Sequence, residues 1–176
     1  MSKETRHYDR CKEAEELIKL LCDKYPDLFW TVRPEQIAVM AIDNQERGEK
    51  AIKKNPNYAK LRPVKGAEKA IFESNNIPIR QIIELYYSDY NTWNAAYKQA
   101  VLASIILGVS AEEEKTVKKD LVGYKVLTEA LGVNWDREPD NIPNMLKDDV
   151  PFNLDLRPGL AEAEENSEDE PEDAKY

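Results

Sequence analysis

Residues 93–109 are the longest stretch in which apolar side chains recur at helical spacing, and any fold of this chain must cover them. The side chains that set the pattern are Trp93, Tyr97, Val101, Leu102, Ile105 and Ile106. Thr92 or Asn94 can cap the start of this helix through a side-chain oxygen, and Gly108 can end it in the left-handed conformation. A membrane span needs about 20 apolar residues and this run has roughly half that number, which excludes a span here. The pattern therefore predicts a helix that protein covers on most sides.

Charge divides the chain into two parts. The 176 residues carry a net charge of −9, but residues 161–176 hold eight acidic residues and one lysine, which leaves −2 for residues 1–160. The first 160 residues suit one domain. Residues 161–176 have too few apolar side chains to fold alone, so we predict a disordered acidic tail after the domain. This tail is either a solubilising extension or a charged arm that engages a basic partner or mimics a phosphate backbone.

The most basic part of the chain, residues 50–69, is a candidate binding surface. Its cations are Lys50, Lys53, Lys54, Lys60, Arg62, Lys65 and Lys69. The net charge of the chain weighs against a nucleic-acid partner, because binding to nucleic acid requires a basic face that neutralises phosphates. A solvated basic face is the simpler interpretation of this window, and a local nucleic-acid patch is the minor one.

The two cysteines, Cys11 and Cys22, both fall in the first predicted helix. Their separation corresponds to about 16 Å of helix rise, which is too far for a disulfide or a shared metal ion. Both are expected to be small apolar core residues in a reducing compartment. The first ten residues lack the apolar segment of a signal peptide. We therefore expect a cytoplasmic protein.

The segments before the central helix predict both helices and strands. Residues 3–25 carry one apolar stripe and predict an amphipathic helix. Residues 36–44 fit a strand through alternating apolar side chains, or a helix that opens at the preceding proline; we favour the helix. Residues 51–76 are polar and predict loops with a short helix at 67–73. Residues 79–90 are rich in β-branched and aromatic side chains and predict a strand.

The segments after the central helix predict a second helix and a long irregular segment. The helix opens at Asp120 and ends at Gly132. Its buried stripe consists of Leu121, Tyr124, Val126, Leu127 and Leu131. Residues 142–156 predict an extended segment that wraps the surface and is anchored by apolar side chains. Together, the segments on both sides of the central helix indicate an α+β domain.

Several stretches follow one another in the order found in a known family. They are YPDLFW at 25–30, PEQI at 34–37, residues 82–93, the helix up to Gly108, DLVGYKVLTEALGVNW at 120–135, and residues 142–160 ending in LRPGL. On these stretches the chain resembles the phage metallopeptidases, small zincin-like proteins encoded by bacteriophages and prophages. The match spans most of residues 14–160. The resemblance implies a zincin-like fold with several helices packed on a small, mostly antiparallel sheet.

The same resemblance implies a zinc site whose ligands are lost. In active members the central helix carries H-E-x-x-H, and the next helix opens with a His-Asp pair that supplies a third ligand. When the family pattern is aligned with this chain, its three histidines correspond to Ser104, Gly108 and Lys119. The glutamate falls on Ile105, and only Asp120 keeps the family residue. A serine hydroxyl and an ammonium group cannot replace imidazoles as zinc ligands, so we expect a pseudoenzyme with no cofactor.

The expected function is binding rather than catalysis. We expect a non-catalytic phage or prophage protein that binds a host or phage protein in the host cytosol, for example as a counter-defence inhibitor, with no membrane partner. Two alternatives stay open: an acidic nucleic-acid mimic that blocks a DNA-binding enzyme, and a hydrolase with its site elsewhere. The candidate binding residues lie in the basic window and around the loop after the central helix: Lys50, Lys53, Lys54, Lys60, Arg62, Glu112, Glu113, Glu114 and Asp120.

Overall fold

The fold is α+β, as predicted. The computed structural model describes residues 7–43, 59–86, 90–112, 115–117 and 124–158. Its strands are β1 (His7–Arg10), β2 (Ile37–Asp43), β3 (Ala59–Pro63) and β4 (Gln81–Tyr86). Its α-helices are α1 (Lys12–Lys24), α2 (Gly66–Ser74), α3 (Ala95–Ile106) and α4 (Lys125–Leu131). Short 3-10 helices lie at Pro34–Gln36, Pro139–Asn141 and Leu154–Leu156. The predicted tail at 161–176 lies outside the described residues.

The four strands form one mixed sheet in the order β1-β2-β4-β3. The outer pairs, β1 with β2 and β3 with β4, are antiparallel, whereas the central pair of β2 and β4 is parallel. In that pair Ile37 lies opposite Gln81. Because parallel strands begin at the same edge of a sheet, the first residues of β2 and β4 are neighbours in space although they are distant in sequence.

Alternate side chains of the sheet pack against helices on opposite faces. Successive residues of a strand point to opposite sides, and both sides of the central strands are covered here. Val39, Ala41, Ile83 and Leu85 join the main core, to which α1, α3 and α4 contribute. Ala38 and Ile82 instead form a smaller cluster that Phe72 of α2 covers. The sheet therefore lies between α2 on one face and the other helices on the opposite face.

Helix α3 is the buried helix that the sequence predicts. Asn94 caps its start, with Oδ1 accepting a hydrogen bond from the backbone N–H of Tyr97 at 2.8 Å. Leu102 and Ile106 have no solvent exposure. The helix ends at Ile106, close to the predicted end, but Gly108 does not take the left-handed conformation expected of it, because its φ is not positive. Of the described helices, none has the length and apolar character needed to span a membrane.

Three predictions of secondary structure are wrong in part. Residues 7–10, predicted to start the first helix, form β1. Residues 37–43 form β2 and not the favoured helix, because their side chains are buried on both sides of a sheet. Residues 59–63, predicted as loop, form β3. The short helix near 67–73 and the strand within 79–90 are confirmed as α2 and β4.

Helix α4 keeps its predicted end but not its predicted start. It begins at Lys125, whereas Asp120 and Leu121 lie outside the described residues. Four members of the predicted stripe are buried: Tyr124, Val126, Leu127 and Leu131. Gly132 ends the helix at a φ of 106°, a conformation that glycine adopts without steric cost.

The segment after α4 wraps the domain as predicted. Ile142, Met145 and Val150 are buried. The hydroxyl of Tyr25 donates to the carbonyl oxygen of Met145 at 2.6 Å and accepts from the backbone N–H of Val150 at 3.3 Å. Gln99 in α3 accepts from the backbone N–H of Leu146 at 3.2 Å. These contacts hold the segment against α1 and α3.

Candidate functional site

The positions where the resemblance places zinc ligands lie at the C-terminal end of α3. Ser104 is half-buried, and its hydroxyl donates to the carbonyl oxygen of Val101 at 2.7 Å, within its own helix. Ile105 packs against the main core. Lys119 and Asp120 lie outside the described residues. Within the part of the chain that is described, no group of three His, Cys, Asp or Glu side chains could hold a metal ion.

Gly108, the position of the second histidine, has little room for a side chain. A Cβ atom placed there would lie 3.0 Å from the hydroxyl of Tyr124, 3.1 Å from the carbonyl oxygen of Ile105 and 3.2 Å from Cδ2 of Leu61. The Tyr124 hydroxyl donates to the carbonyl oxygen of Val117 at 3.1 Å, which holds it in this place. An imidazole would require these groups to move apart. The residues at this end of α3 therefore do not fit a zinc ion.

A cleft of about 330 Å³ opens beside the end of α3. Its walls include the first residues of β2 and β4, the turn at 30–33 and residues 109–112 after α3. The hydroxyl of Thr31 donates to the carbonyl oxygen of Val109 at 2.7 Å. This hydrogen bond joins two of the walls, so the cleft is held by the same contacts that fix the end of α3.

Three cations and one carboxylate line the cleft: Arg33, Lys69, Arg80 and Glu112. Glu112 forms an ion pair with Lys115. Nη2 of Arg80 lies 3.5 Å from Oε1 of Glu73, but exposed pairs of this kind contribute only about 0–1 kcal/mol. The cleft thus has a positive surplus in a chain of net charge −9. A surplus of one sign in a concave site raises the local concentration of ligands of the opposite sign.

Gln81 and Trp30 add two further features to the cleft. Gln81 is 5% exposed, and its Oε1 is buried with no hydrogen-bond partner among the described residues. Leaving a buried polar atom unsatisfied costs roughly 1–3 kcal/mol. Trp30 is 38% exposed and offers an apolar surface of the kind enriched in binding sites.

Of the predicted binding residues, the structure describes only Lys60, Arg62 and Glu112, and only Glu112 lines the cleft. Lys60 is exposed on β3. The guanidinium of Arg62 lies 2.9 Å from Glu68 and 3.4 Å from Glu84. The hydrogen bond that Arg62 donates to Glu68 is the main cause that raises the pKa of Arg62. Glu112 lines the cleft. The other predicted residues, Lys50, Lys53, Lys54, Glu113, Glu114 and Asp120, lie outside the described part of the chain.

Sequence reasoning missed most of the cleft. Arg33, Arg80 and Gln81 were not candidates, and Lys69 entered only as a member of the basic window. The parallel register of β2 and β4 brings Gln81 beside Ile37. That proximity could be anticipated only by recognising residues 37–43 as a strand.

The two thiols are poor nucleophiles in the folded protein. Burial raises the pKa of Cys11, and burial together with nearby Asp23 and Glu35 raises the pKa of Cys22 to about 12. Because the thiolate is the reactive form, neither cysteine is suited to nucleophilic catalysis at neutral pH.

We expect Cys22 to react slowly with a disulfide reagent such as Ellman's reagent at pH 8. Its thiolate fraction should be about a thousandfold below that of a thiol with the usual pKa of 9.0. In the folded protein Cys22 keeps its proton above pH 9, whereas in the unfolded chain the thiol loses it there. The free energy of unfolding should therefore fall as the pH rises from about 9 to 12. The rates at which the Cys11→Ser variant reacts with this reagent, in the folded state and in denaturant, measure how far folding suppresses the reactivity of Cys22. Equal rates in the two states would contradict it.

Comparison with known proteins finds no matching family model, and neither a curated protein nor a solved structure matches the chain. The zincin-like arrangement and the relationship to phage metallopeptidases therefore stay predictions. The chemistry of the cleft is the remaining basis for inferring a function.

Proposed function

We propose that this chain is a non-catalytic phage or prophage protein with a metallopeptidase-like fold, which acts in the host cytosol by binding another protein. The cleft is its binding site, and an acidic segment of the partner is the ligand. The observation that carries the proposal is the composition of the cleft, whose charged lining side chains are three cations and one carboxylate.

An acidic peptide brings the groups that this cleft requires. Its carboxylates would pair with Arg33, Lys69 and Arg80, since hydrogen bonds between ionised groups are the stronger ones. The volume of about 330 Å³ falls at the lower end of the usual range for ligand pockets, which suits a few residues of a peptide.

Three observations support a role without catalysis. The hydroxyl of Ser104 is engaged within its own helix. Gly108 has contacts at 3.0–3.2 Å where a side chain would begin. The pKa of Cys22 is raised by burial to about 12, which removes a nucleophile at neutral pH. A binding role needs none of these groups.

Arg80→Glu should abolish partner capture from a lysate of the host bacterium, while Lys60→Glu should not. Both substitutions change the charge by the same amount, but Lys60 is an exposed residue of β3 that does not line the cleft. We expect the amount of captured partner to fall at least about tenfold with Arg80→Glu, as the loss of a charged hydrogen bond would produce. Captured proteins are identified and quantified by mass spectrometry.

Two results would count against this assignment. Equal capture by the wild type and Arg80→Glu would remove the cleft as the binding site. Capture of a DNA-binding enzyme that survives Arg80→Glu but is lost when the acidic residues of 161–176 are neutralised would favour the nucleic-acid mimic instead.

A further inference from the structure

A second pocket lies away from the cleft, in the loop that joins α4 to the segment wrapping the domain. We propose that this pocket binds an alkylammonium group, the cation that ends a lysine side chain or a small aliphatic amine. The pocket has a volume of about 200 Å³, and the residues that line it fall within 131–142. None of them lines the cleft, so this inference goes beyond the proposed function and does not rest on it.

Backbone hydrogen bonds and one aromatic contact hold the loop in shape. The backbone N–H of Glu138 donates to the carbonyl oxygen of Asn134 at 3.1 Å, and that of Asn141 donates to the carbonyl oxygen of Glu138 at 3.1 Å. Tyr97 of α3 packs against Trp135 with ring centroids 6.4 Å apart. Its hydroxyl donates to the carbonyl oxygen of the residue after Trp135 at 2.9 Å. The backbone that carries the lining side chains is therefore held in place before a ligand arrives.

The charge of the pocket matches one monovalent cation. Among the described residues that line it, Glu138 is the only charged one. Residues 136–140 around it hold three acidic side chains and one arginine, in a chain of net charge −9. Such a surplus raises the local concentration of cations. A divalent metal ion would find a single carboxylate here, which is fewer than the oxygen ligands that such ions gather in proteins.

The polar lining suits a primary ammonium group, which has three N–H donors and no acceptor. Oε2 of Glu138 accepts from Nδ2 of Asn141 at a long 3.4 Å, and a carboxylate can accept further hydrogen bonds. The side-chain amides of Asn134 and Asn141 supply two more oxygens to the lining. A quaternary ammonium group has no N–H donor and would leave these acceptors unused. The acceptors therefore favour a primary amine.

The apolar lining suits the alkyl chain that carries the ammonium group. Val133 is 81% exposed and Trp135 is half-buried, and both line the pocket. An indole ring attracts a cation that lies over its face, and lysine side chains lay their methylene groups along apolar surface. Four methylene groups and one ammonium group, each the size of a water molecule, occupy roughly 150 Å³. The pocket can therefore hold one such chain.

Two probes test the site and separate the two sources of the ligand. Butylamine represents a free amine, and Nα-acetyl-lysine amide represents a lysine of a protein chain. Each is titrated into the isotope-labelled full-length protein, and the indole N–H signal of Trp135 is followed by heteronuclear NMR after assignment with Trp135→Phe. We expect a saturable shift with a Kd on the order of 1 mM. Butanol, which has the same shape without the charge, should bind at least about tenfold more weakly.

The relative affinities of the two probes identify the source. A lysine amide that binds about tenfold more tightly than butylamine would assign the pocket to a protein lysine, and the reverse order would assign it to a free amine. Comparable affinities would show that the shared alkylammonium group is what the pocket binds. The absence of a saturable shift with either probe would overturn the proposal, as would butanol binding as tightly as butylamine.

Glu138→Gln tests the carboxylate on which the proposal depends. It should weaken the binding of butylamine at least about tenfold, because it removes the charged partner of the ammonium group. Glu129→Gln changes the net charge equally, but Glu129 is an exposed residue of α4 that does not line the pocket. This control should leave the affinity unchanged, as should Arg80→Glu in the cleft. Equal affinities for the wild type and Glu138→Gln would overturn the assignment.

Discussion

Replacing Leu102 by alanine should lower the free energy of unfolding by about 2–5 kcal/mol. Leu102 has no solvent exposure and lies in α3, which packs against α1 in the main core. Truncating it removes buried apolar surface and leaves a cavity that its neighbours fill only in part. Urea denaturation followed by circular dichroism measures the change, with the slope of the transition showing whether unfolding stays two-state.

Ser104→Ala is the matched control on the same helix. Ser104 is half-buried and its hydroxyl bonds only within its own helix, to Val101 among the described residues. We expect Ser104→Ala to change the free energy of unfolding by no more than about 0.5 kcal/mol. If Leu102→Ala were no more destabilising than Ser104→Ala, α3 would not be the central helix of the core.

Gly108→Ala should lower the free energy of unfolding by about 1–3 kcal/mol through overpacking. The backbone of Gly108 does not have a positive φ, so conformation alone does not exclude alanine. The cost arises because the new Cβ would meet Tyr124, the carbonyl of Ile105 and Leu61 at 3.0–3.2 Å. Urea denaturation followed by circular dichroism measures this loss of stability.

Tyr124→Phe provides the control for this overpacking. Alone it removes the hydrogen bond to Val117 and should destabilise by about 1 kcal/mol. In the Gly108→Ala background it also removes the shortest contact to the new methyl group, so its cost should be smaller. A neutral Gly108→Ala would show that the second ligand position has room, and the steric case against a zinc ligand there would be lost.

The sequence predicts α3 well because the signals for this helix are local. Its apolar spacing, the cap at Asn94 and the burial of Leu102 and Ile106 all depend on residues within a few turns. Strand β2 is different. Its apolar residues face two cores, so their pattern fits a helical face as well as a strand, and pairing with β1 and β4 decides the conformation.

The cleft could not be derived in the same way. Arg33, Lys69 and Arg80 come from three segments that are separated along the chain, and only the folded structure brings them together. The candidates that charge density suggested do not line the cleft. Lys60 is exposed on β3, and Arg62 of the same strand forms an ion pair with Glu68. Charge runs locate exposed residues, but concave sites depend on pairing between distant strands.

Zinc content tests the non-catalytic role most directly. The full-length protein is incubated with zinc at neutral pH, dialysed, and analysed by inductively coupled plasma mass spectrometry. We predict far less than one zinc ion per chain, because Ser104, Ile105 and Gly108 offer no ligand set and little space for one. One zinc ion retained per chain would contradict a binding protein without catalysis and would return this chain to the metalloenzymes.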